Sequence, residues 1–513
     1  MSWTLRAYDV VTSIVAGSLG LFAPRRALAY RLRRDSLRSF KAASMAGAHH
    51  NWNPRSRSAD AEIKRDNNLV LSRCRDVAQN NSYIKGIIRK ICNNVVRNGI
   101  RPQAQFKTAD GGLDKPRNKR FEKHWKRWAR KKYASLDGHD SFRGIQNLVL
   151  KHLWVDGEIL VHRVWDRVSP RVNPLRLEVL EADLLNQTLD GVLPNGNIIR
   201  RGVELDSGNR PVFYHVYSHH PGDNIFAMPT TRRIPAENIL HIFDRDRASQ
   251  TRGISWFAAI VVETYDLDEY QSYERIGAKL AAAFGIFIKT NVPELLAGQA
   301  LGGGVPPGET SLPTDSQGNQ LEYINPGQIV PLPSGTDISI ASHKRPGENY
   351  APYVSTSLKG ISAGVGVSYE ALSNDYTDAS YSSARSAALE ERLTYRGQQG
   401  FLDENLNEPV WAWFLEGLYL SGQESMPGYP ENCDDYEESV SWQAPGWAWI
   451  DPAKDSKAAE TKLKLGITTR RKLAAEAGDD IDEIFDELER ENAELRDRKI
   501  LEEANASEQQ KLQ

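Results

Sequence analysis

Residues 363–391 run AGVGVSYEALSNDYTDASYSSARSAALEE. Gly364 and Gly366 punctuate the chain, because glycine weakens a helix interior and supplies the left-handed conformation in which helices end. Ahead of them, residues 350–361 carry a helical pattern. Behind them, residues 373–383 (SNDYTDASYSS) are polar, with two aspartates, two tyrosines and no periodic apolar face. A second long helix is expected from Ala384 to about Leu420. The order is helix, Gly-Val-Gly break, polar loop, long helix.

The pattern extends in both directions. Upstream, residues 253–284 hold no proline and predict a continuous helix of some 32 residues, about 48 Å at 1.5 Å per residue. That is too long for the inside of a small domain. Between the two stretches, residues 286–349 are broken by Pro293, Gly302–Gly304, Pro306, Pro307, Pro313, Pro326, Pro331 and Pro333. They read as a compact insert with short strands and an exposed glycine/proline loop. Earlier still, an amphipathic helix is expected at 142–155 and β-rich runs at 158–165, 175–180, 212–217 and 239–243. Asp190-Gly191 and Asn195-Gly196 are hairpin signals. Residues 61–100 are helical, with Ile84, Ile87, Ile88, Ile91 and Val95 on one face. The C-terminal part is mostly helical, with an apolar face of Ile481, Ile484, Phe485, Leu488 and Leu495. The fold class expected is α+β, mainly α, in more than one packed unit over 513 residues.

Charge is distributed unevenly. Residues 1–132 hold 30 Lys/Arg against 9 Asp/Glu, and residues 431–513 hold 12 against 22, so the two ends are expected to face different partners or solvent. The cations at 119–132 could neutralise phosphates. Phe121, Trp125 and Trp128, at i, i+4 and i+7 among them, read as core anchors rather than base-stacking platforms. Cys74, Cys92 and Cys433 form no CxxC pair, which speaks against a disulfide framework or structural zinc and for a reducing compartment. His49-His50 lacks partner ligands in the sequence and reads as a loop feature. An apolar run at 10–23 follows Arg6 and precedes Ala27-Leu28-Ala29, a loose imitation of a secretion signal. Asp9 and Pro24-Arg25-Arg26 speak against it. No stretch has the length and apolar content of a membrane span.

Signatures of catalysis are absent: there is no GxxxxGK[ST], HExxH or GxSxG. Asp244 and Asp246 resemble the carboxylate pair of a metal nuclease, but Arg245 and Arg247 beside them favour a salt-bridged loop. Glu390 and Glu391 lie within helical reach of Arg385, Arg392 and Arg396 and read as ion-paired. No metal or cofactor is expected, and the chain is expected not to be an enzyme.

The segment Gly366-Val-Ser-Tyr-Glu-x-Leu-x-x-Asp-Tyr-x-x-x-x-Tyr-Ser-Ser-x-Arg385 resembles the lambda-type family of phage portal proteins. Further blocks in that family's order occur at residues 232–255, 252–288, 324–338 and 447–480, and the resemblance extends from about residue 30 onward. It implies a portal fold of wing, two-helix stem, clip, tunnel loop, tunnel helix and crown, assembled as a cyclic ring, typically dodecameric. On this chain the resemblance assigns 1–60 to a basic arm, 61–252 to the wing and 253–285 to the first stem helix. The clip would be 286–349, the second stem helix 350–366 and the tunnel loop 367–383. The tunnel helix and wing return would be 384–446, and the crown 447–513.

The implied function is a structural conduit at one capsid vertex through which double-stranded DNA is packaged and ejected. Implied partners are the terminase large subunit, major capsid and scaffold proteins and head–tail connector proteins. The implied location is the virion, with the host cytoplasm during assembly. Candidates to line the channel are Lys359, Asn374, Asp375, Tyr376, Thr377, Asp378, Ser380, Tyr381 and Ser382. A ring repeats each of them, so aspartates become a repulsive, non-sticking lining while hydroxyls offer neutral contacts. Pro306, Pro307, Gly308 and Glu309 are the candidates for terminase docking on the clip.

Overall fold

The computed structural model describes residues 56–166, 172–223, 229–283, 287–289, 330–332, 347 and 349–498. The chain divides into two units, Met1–Ala61 and Glu62–Gln513, and the second holds the architecture below. The clip candidates Pro306, Pro307, Gly308 and Glu309, and the pair His49-His50, lie outside the described residues.

Helices α1 (Ala59–Asn80) and α2 (Ser82–Val95) are separated by Asn81, whose side chain accepts from the backbone N–H groups of Tyr83 and Ile84. That N-cap restarts the helix. Ile84, Ile87, Ile91 and Val95 of α2 are buried on the expected face. Strand β1 (Arg101–Ala104) leads to α3 (Lys115–Trp128), and α4 (Phe142–Val155) begins at the cap Ser141. Phe121, Trp125 and Trp128 are all buried. The Trp125 ring lies 4.8 Å from Trp128 and 5.0 Å from both Phe142 and Phe414. These aromatics are core, as their spacing predicts, and take no part in a surface platform.

Two sheets follow. Strands β2 (Glu158–Trp165), β3 (Leu175–Leu180), β4 (Gly191–Val192), β5 (Ile198–Arg200), β6 (Val203–Leu205), β7 (Pro211–Tyr217), β8 (Thr231–Pro235) and β9 (Ile239–Phe243) form a three-stranded sheet β3-β2-β9 and an antiparallel meander β4 to β8. Leu160, Leu180, Val203, Tyr214, Val216 and Ile234 form a second apolar core joining them. Asn195-Gly196 turns the β4–β5 hairpin, with Gly196 at φ 86°. Asp190-Gly191 does not turn: Asp190 instead accepts from Lys64 at 2.7 Å and from the Arg201 backbone N–H.

The helix expected from Gly253 begins only at Val261. The cause is a buried ionic node. Arg252, fully buried, donates through Nε to both Glu158 oxygens at 2.8 and 2.9 Å, and Glu158 also bonds His241 Nε2 and the Gly253 N–H. A Cβ on Gly253 would lie 2.2 Å from the Gly157 carbonyl oxygen. The chain is non-helical there, and Ser255 Oγ then accepts from the Phe257 N–H before helical turns start. The resulting α5 (Val261–Ala283) has 23 residues, about 35 Å, rather than the expected 32.

Strands β10 (Phe287–Lys289) and β11 (Val330–Leu332) pair in parallel. Then α6 (Tyr350–Val365) ends on Gly366 at φ 74°, α7 (Tyr369–Ser373) is a short helix, and α8 (Tyr381–Leu402) passes through a π-turn at Asp403–Asn407 into α9 (Glu408–Ser421). Pro409 stands just after the π-turn. A proline inside an α-helix lacks one N–H and crowds the carbonyl four residues back, and a π-turn widens the helix where that conflict would arise. Strand β12 (Val440–Gln443) pairs with β1. Helices α10 (Pro452–Lys464), α11 (Arg470–Ala477) and α12 (Ile481–Asp497) complete the described chain.

The opposite charge excesses of the two ends meet in part. Lys115 pairs with Asp482 at 3.2 Å and Lys119 with Asp486 at 2.5 Å, while Gln103 donates to Asp480. The expectation that each end faces a separate partner or solvent is thus corrected for these residues: α3 and α12 neutralise each other.

Candidate functional site

Helices α5 and α6 pack antiparallel. Gly364 lies against Ile260, Gly360 against the Glu263 carboxylate, and Tyr350 and Tyr353 against the Tyr270 ring at 5.9 and 4.7 Å. Glycine at 360 and 364 puts two small residues on one helix face and lets the backbones approach. A Cβ at Gly364 would sit 2.3 Å from Ile260 Cγ2.

Beyond the Gly366 cap, the region expected as one loop contains a helix. Ser368 Oγ accepts from the Ala371 N–H and starts α7, and Asn374 closes it in the left-handed region at φ 59°. Tyr381 and Ser382 belong to the first turn of α8, which Ser380 caps by accepting from the Ser383 N–H at 3.2 Å. The non-helical span is therefore 374–380. Within it, Asn374, Asp375, Tyr376, Thr377, Asp378 and Ser380 are all exposed.

Asp375 holds the span in a turn. Its Oδ1 accepts from the Thr377 N–H at 3.1 Å and the Thr377 hydroxyl at 2.6 Å, and its Oδ2 from the Tyr369 hydroxyl. Those bonds, Thr377's first, favour the carboxylate and hold Asp375 below the usual aspartate range. The group stays ionised at neutral pH and spends two bonds on shaping its own loop. Tyr376 is 59 % exposed. Tyr381, equally exposed, donates to Asp451 at 3.3 Å, and Lys454 sits 5.8 Å from its ring. Lys359 is exposed on α6, its Nζ 5.4 Å from the Tyr369 ring. The candidates from 374 to 382 thus lie on one turn and the helix start behind it, and Lys359 stands over the helix in front.

Two side chains that sequence reasoning missed, Lys90 and Glu391, grip this turn and the short helix before it from other elements. Lys90 of α2 donates to the Asn374 side chain and to the Ala371 carbonyl. Glu391 of α8 accepts from the Ser368 N–H at 2.9 Å. Glu391 was expected to pair with neighbouring arginines, but Arg385 reaches Asp455 at 2.7 Å and Arg392 reaches the Ala448 carbonyl. A pattern of spacings along one helix carries no signal for partners so distant in sequence.

The remaining candidates stand apart. Asp244 and Asp246 lie on an exposed loop in which Gln250 accepts from the Asp246 N–H and Arg247 pairs with Glu62. Among the described residues, the metal-competent cluster is instead Glu181, Asp183 and His220, and Asp183 is already bridged by Arg75. Also among the described residues, no helix is long and apolar enough to cross a membrane.

Residues 46–399 match the family described as phage portal protein, lambda family. A probable portal protein of Halomonas phage phiHAP-1 is 30 % identical over 459 residues, covering 88 % of this chain and 85 % of the relative. The portal protein of Escherichia phage N15 is 24 % identical over 475 residues, covering 88 % of each chain. Portal protein B of Escherichia phage lambda is 24 % identical over 484 residues with the same coverage. Among solved structures, the neck of a native GTA particle computed with C12 symmetry matches at 14 % identity and a TM-score of 0.43, covering 81 % of this chain and 94 % of that one.

The class that the family match and the portal-protein relatives define is that of phage portal proteins, which are structural. Within it, the chain belongs to the lambda family of phage portal proteins.

Proposed function

We propose that this chain assembles into a cyclic ring, typically of twelve copies, at one vertex of the capsid, and that double-stranded DNA passes through its centre during packaging and ejection. The observation that carries the reading is the exposed turn at 374–380, which runs between α7 and α8 and is shaped by its own Asp375. A lining must let DNA slide. Deep cationic binding would stall it, because each phosphate contact adds to affinity. A ring of ionised aspartates repels phosphate, while Thr377, Tyr376, Tyr381, Ser380 and Ser382 offer neutral hydrogen bonds. Lys359 supplies a weaker attractive ring, and Asn374 and Asp378 complete the lining.

In this reading the segment 286–349, with Pro306, Pro307, Gly308 and Glu309, docks the terminase large subunit. Major capsid and scaffold proteins and head–tail connector proteins are the further partners. Assembly takes place in the host cytoplasm and the product resides in the virion. Electron micrographs of the purified protein are expected to show rings with a hole wide enough for B-form DNA, and deletion of residues 374–380 is expected to abolish packaging while rings persist. A protein that stays monomeric under all conditions sinks the ring. Normal packaging by the deletion sinks the role of the turn.

A further inference from the structure

The turn at 374–380 leaves α7 through a residue that bears a side chain, Asn374, in the left-handed region at φ 59°. Asparagine tolerates this conformation better than most residues, yet glycine alone adopts it freely. Something must therefore fix the departure of the chain. We propose that Lys90 is a positioning residue for the channel turn: its ammonium, delivered from the core helix α2, pins Asn374 and the end of α7 and so sets where the turn stands in the lumen. This rests on the reading of the turn as channel lining.

Several observations converge on it. Lys90 Nζ lies 2.5 Å from Asn374 Oδ1 and 2.5 Å from the Ala371 carbonyl oxygen, so one cation joins the last turn of α7 to the first residue beyond it. The carbonyls at a helix C-terminus carry partial negative charge, and a cation there is stabilising. Lys90 is half-buried, and burial draws its ammonium below the usual lysine range, opposed by the charge of Glu391. The helix that carries it is anchored by Ile84, Ile87, Ile91 and Val95 in the main core, so the cation is tied to a rigid body.

Glu391 faces it from α8 and caps the other end of α7 at the Ser368 N–H. The five-residue helix is thus held at both ends, by a cation at its C-terminus and a carboxylate at its N-terminus, each in the sense the helix dipole favours. The turn's position is then set by two different helices outside it. Asp375 and the Tyr369 hydroxyl fix its internal shape, whereas Lys90 fixes its placement.

The test compares assembled rings of the wild-type chain with Lys90→Met and Lys90→Arg by hydrogen exchange, and measures DNA content in particles built with each. Lys90→Met is expected to speed exchange of amides 374–379 at least tenfold while α2 and α8 are unchanged, and to lower packaged DNA. Lys90→Arg, which keeps a cation and donors, is expected to restore most of the protection. Unchanged exchange at 374–379 in Lys90→Met rings overturns the proposal. Faster exchange with normal packaging upholds Lys90 as the clamp and overturns the channel reading of the turn instead. Should Lys90→Met rings fail to form, Asn374→Gly removes the acceptor on an exposed residue whose backbone glycine suits. Faster exchange there, against protection kept by Asn374→Asp, supports the clamp, and equal exchange in the two overturns it.

Discussion

Asp403 shows how a single group can register the fold. It opens the π-turn between α8 and α9, and burial pushes its carboxyl up to about 6, although Asn407 donates to it at 2.7 Å. The folded state therefore holds this proton more tightly than the unfolded chain, whose aspartates titrate near 3.9. The stabilising contribution is present below about pH 4 and is lost as pH rises through about 6. Asp403→Asn keeps the acceptor and removes the charge. Its unfolding free energy is expected to exceed wild type above pH 6 by up to about 3 kcal/mol, with little difference at pH 4; equal effects at both pH values in denaturant unfolding would refute this. The sequence shows an acidic residue near a proline and no more. Its donor Asn407 is fully buried and in turn accepts at 2.8 Å from Gln146 of α4, 261 residues from Asn407 along the chain.

Among the elements, the α5–α6 pair is the one whose geometry rests on absent side chains. In an isolated helix, alanine in place of glycine stabilises by about 1 kcal/mol. At Gly364 the new Cβ would press on Ile260, a stiff β-branched side chain that is 4 % exposed. Gly364→Val is therefore expected to destabilise the protein by about 1–3 kcal/mol, seen as a lower Tm, and Ile260→Ala in the same chain is expected to recover part of the loss. A Tm unchanged by Gly364→Val would show that the helices do not depend on this approach. Elements with strong periodicity, such as α4, β2 and β3, were legible in the chain down to their ends, whereas α2 was read only as part of one helical stretch over 61–100, which the cap at Asn81 divides. The start of α5 was not: the pattern from Gly253 is helical, but Glu158 bonds the Arg252 guanidinium and the Gly253 N–H and holds both residues out of the helix. Local propensity of a fraction of a kcal/mol per residue cannot compete with a buried, fully bonded ion pair.

At the scale of the whole molecule, the C-terminal helix α12 is attached to α3 chiefly by charge. Ile481 is its one buried residue among those described, while Phe485 and Leu488 are 48 % and 46 % exposed. The Lys115–Asp482 and Lys119–Asp486 pairs are partly solvated, and such pairs are worth on the order of 1 kcal/mol or less each. Raising the salt from 0.05 to 1 M shortens the screening length to about 3 Å. Amide exchange across α12 is expected to rise with it while α2 stays protected, and Lys119→Glu is expected to reproduce the effect at low salt. Salt-independent protection of α12 would mean that apolar contact holds it.

What the chain by itself determined was the family, the alternation of helix and strand and the stretch where helix, glycine break, polar turn and helix follow one another. Those are local: they depend on periodicity, on caps and on residues within a few positions. The tertiary structure alone decided that the region 367–383, expected as one loop, opens with a helix of its own, that Lys90 and Glu391 grip that helix, and that the basic α3 meets the acidic α12. Each of these joins groups far apart along the chain, and the side chains that meet across such distances are selected by how the core packs, which no run of neighbouring residues encodes.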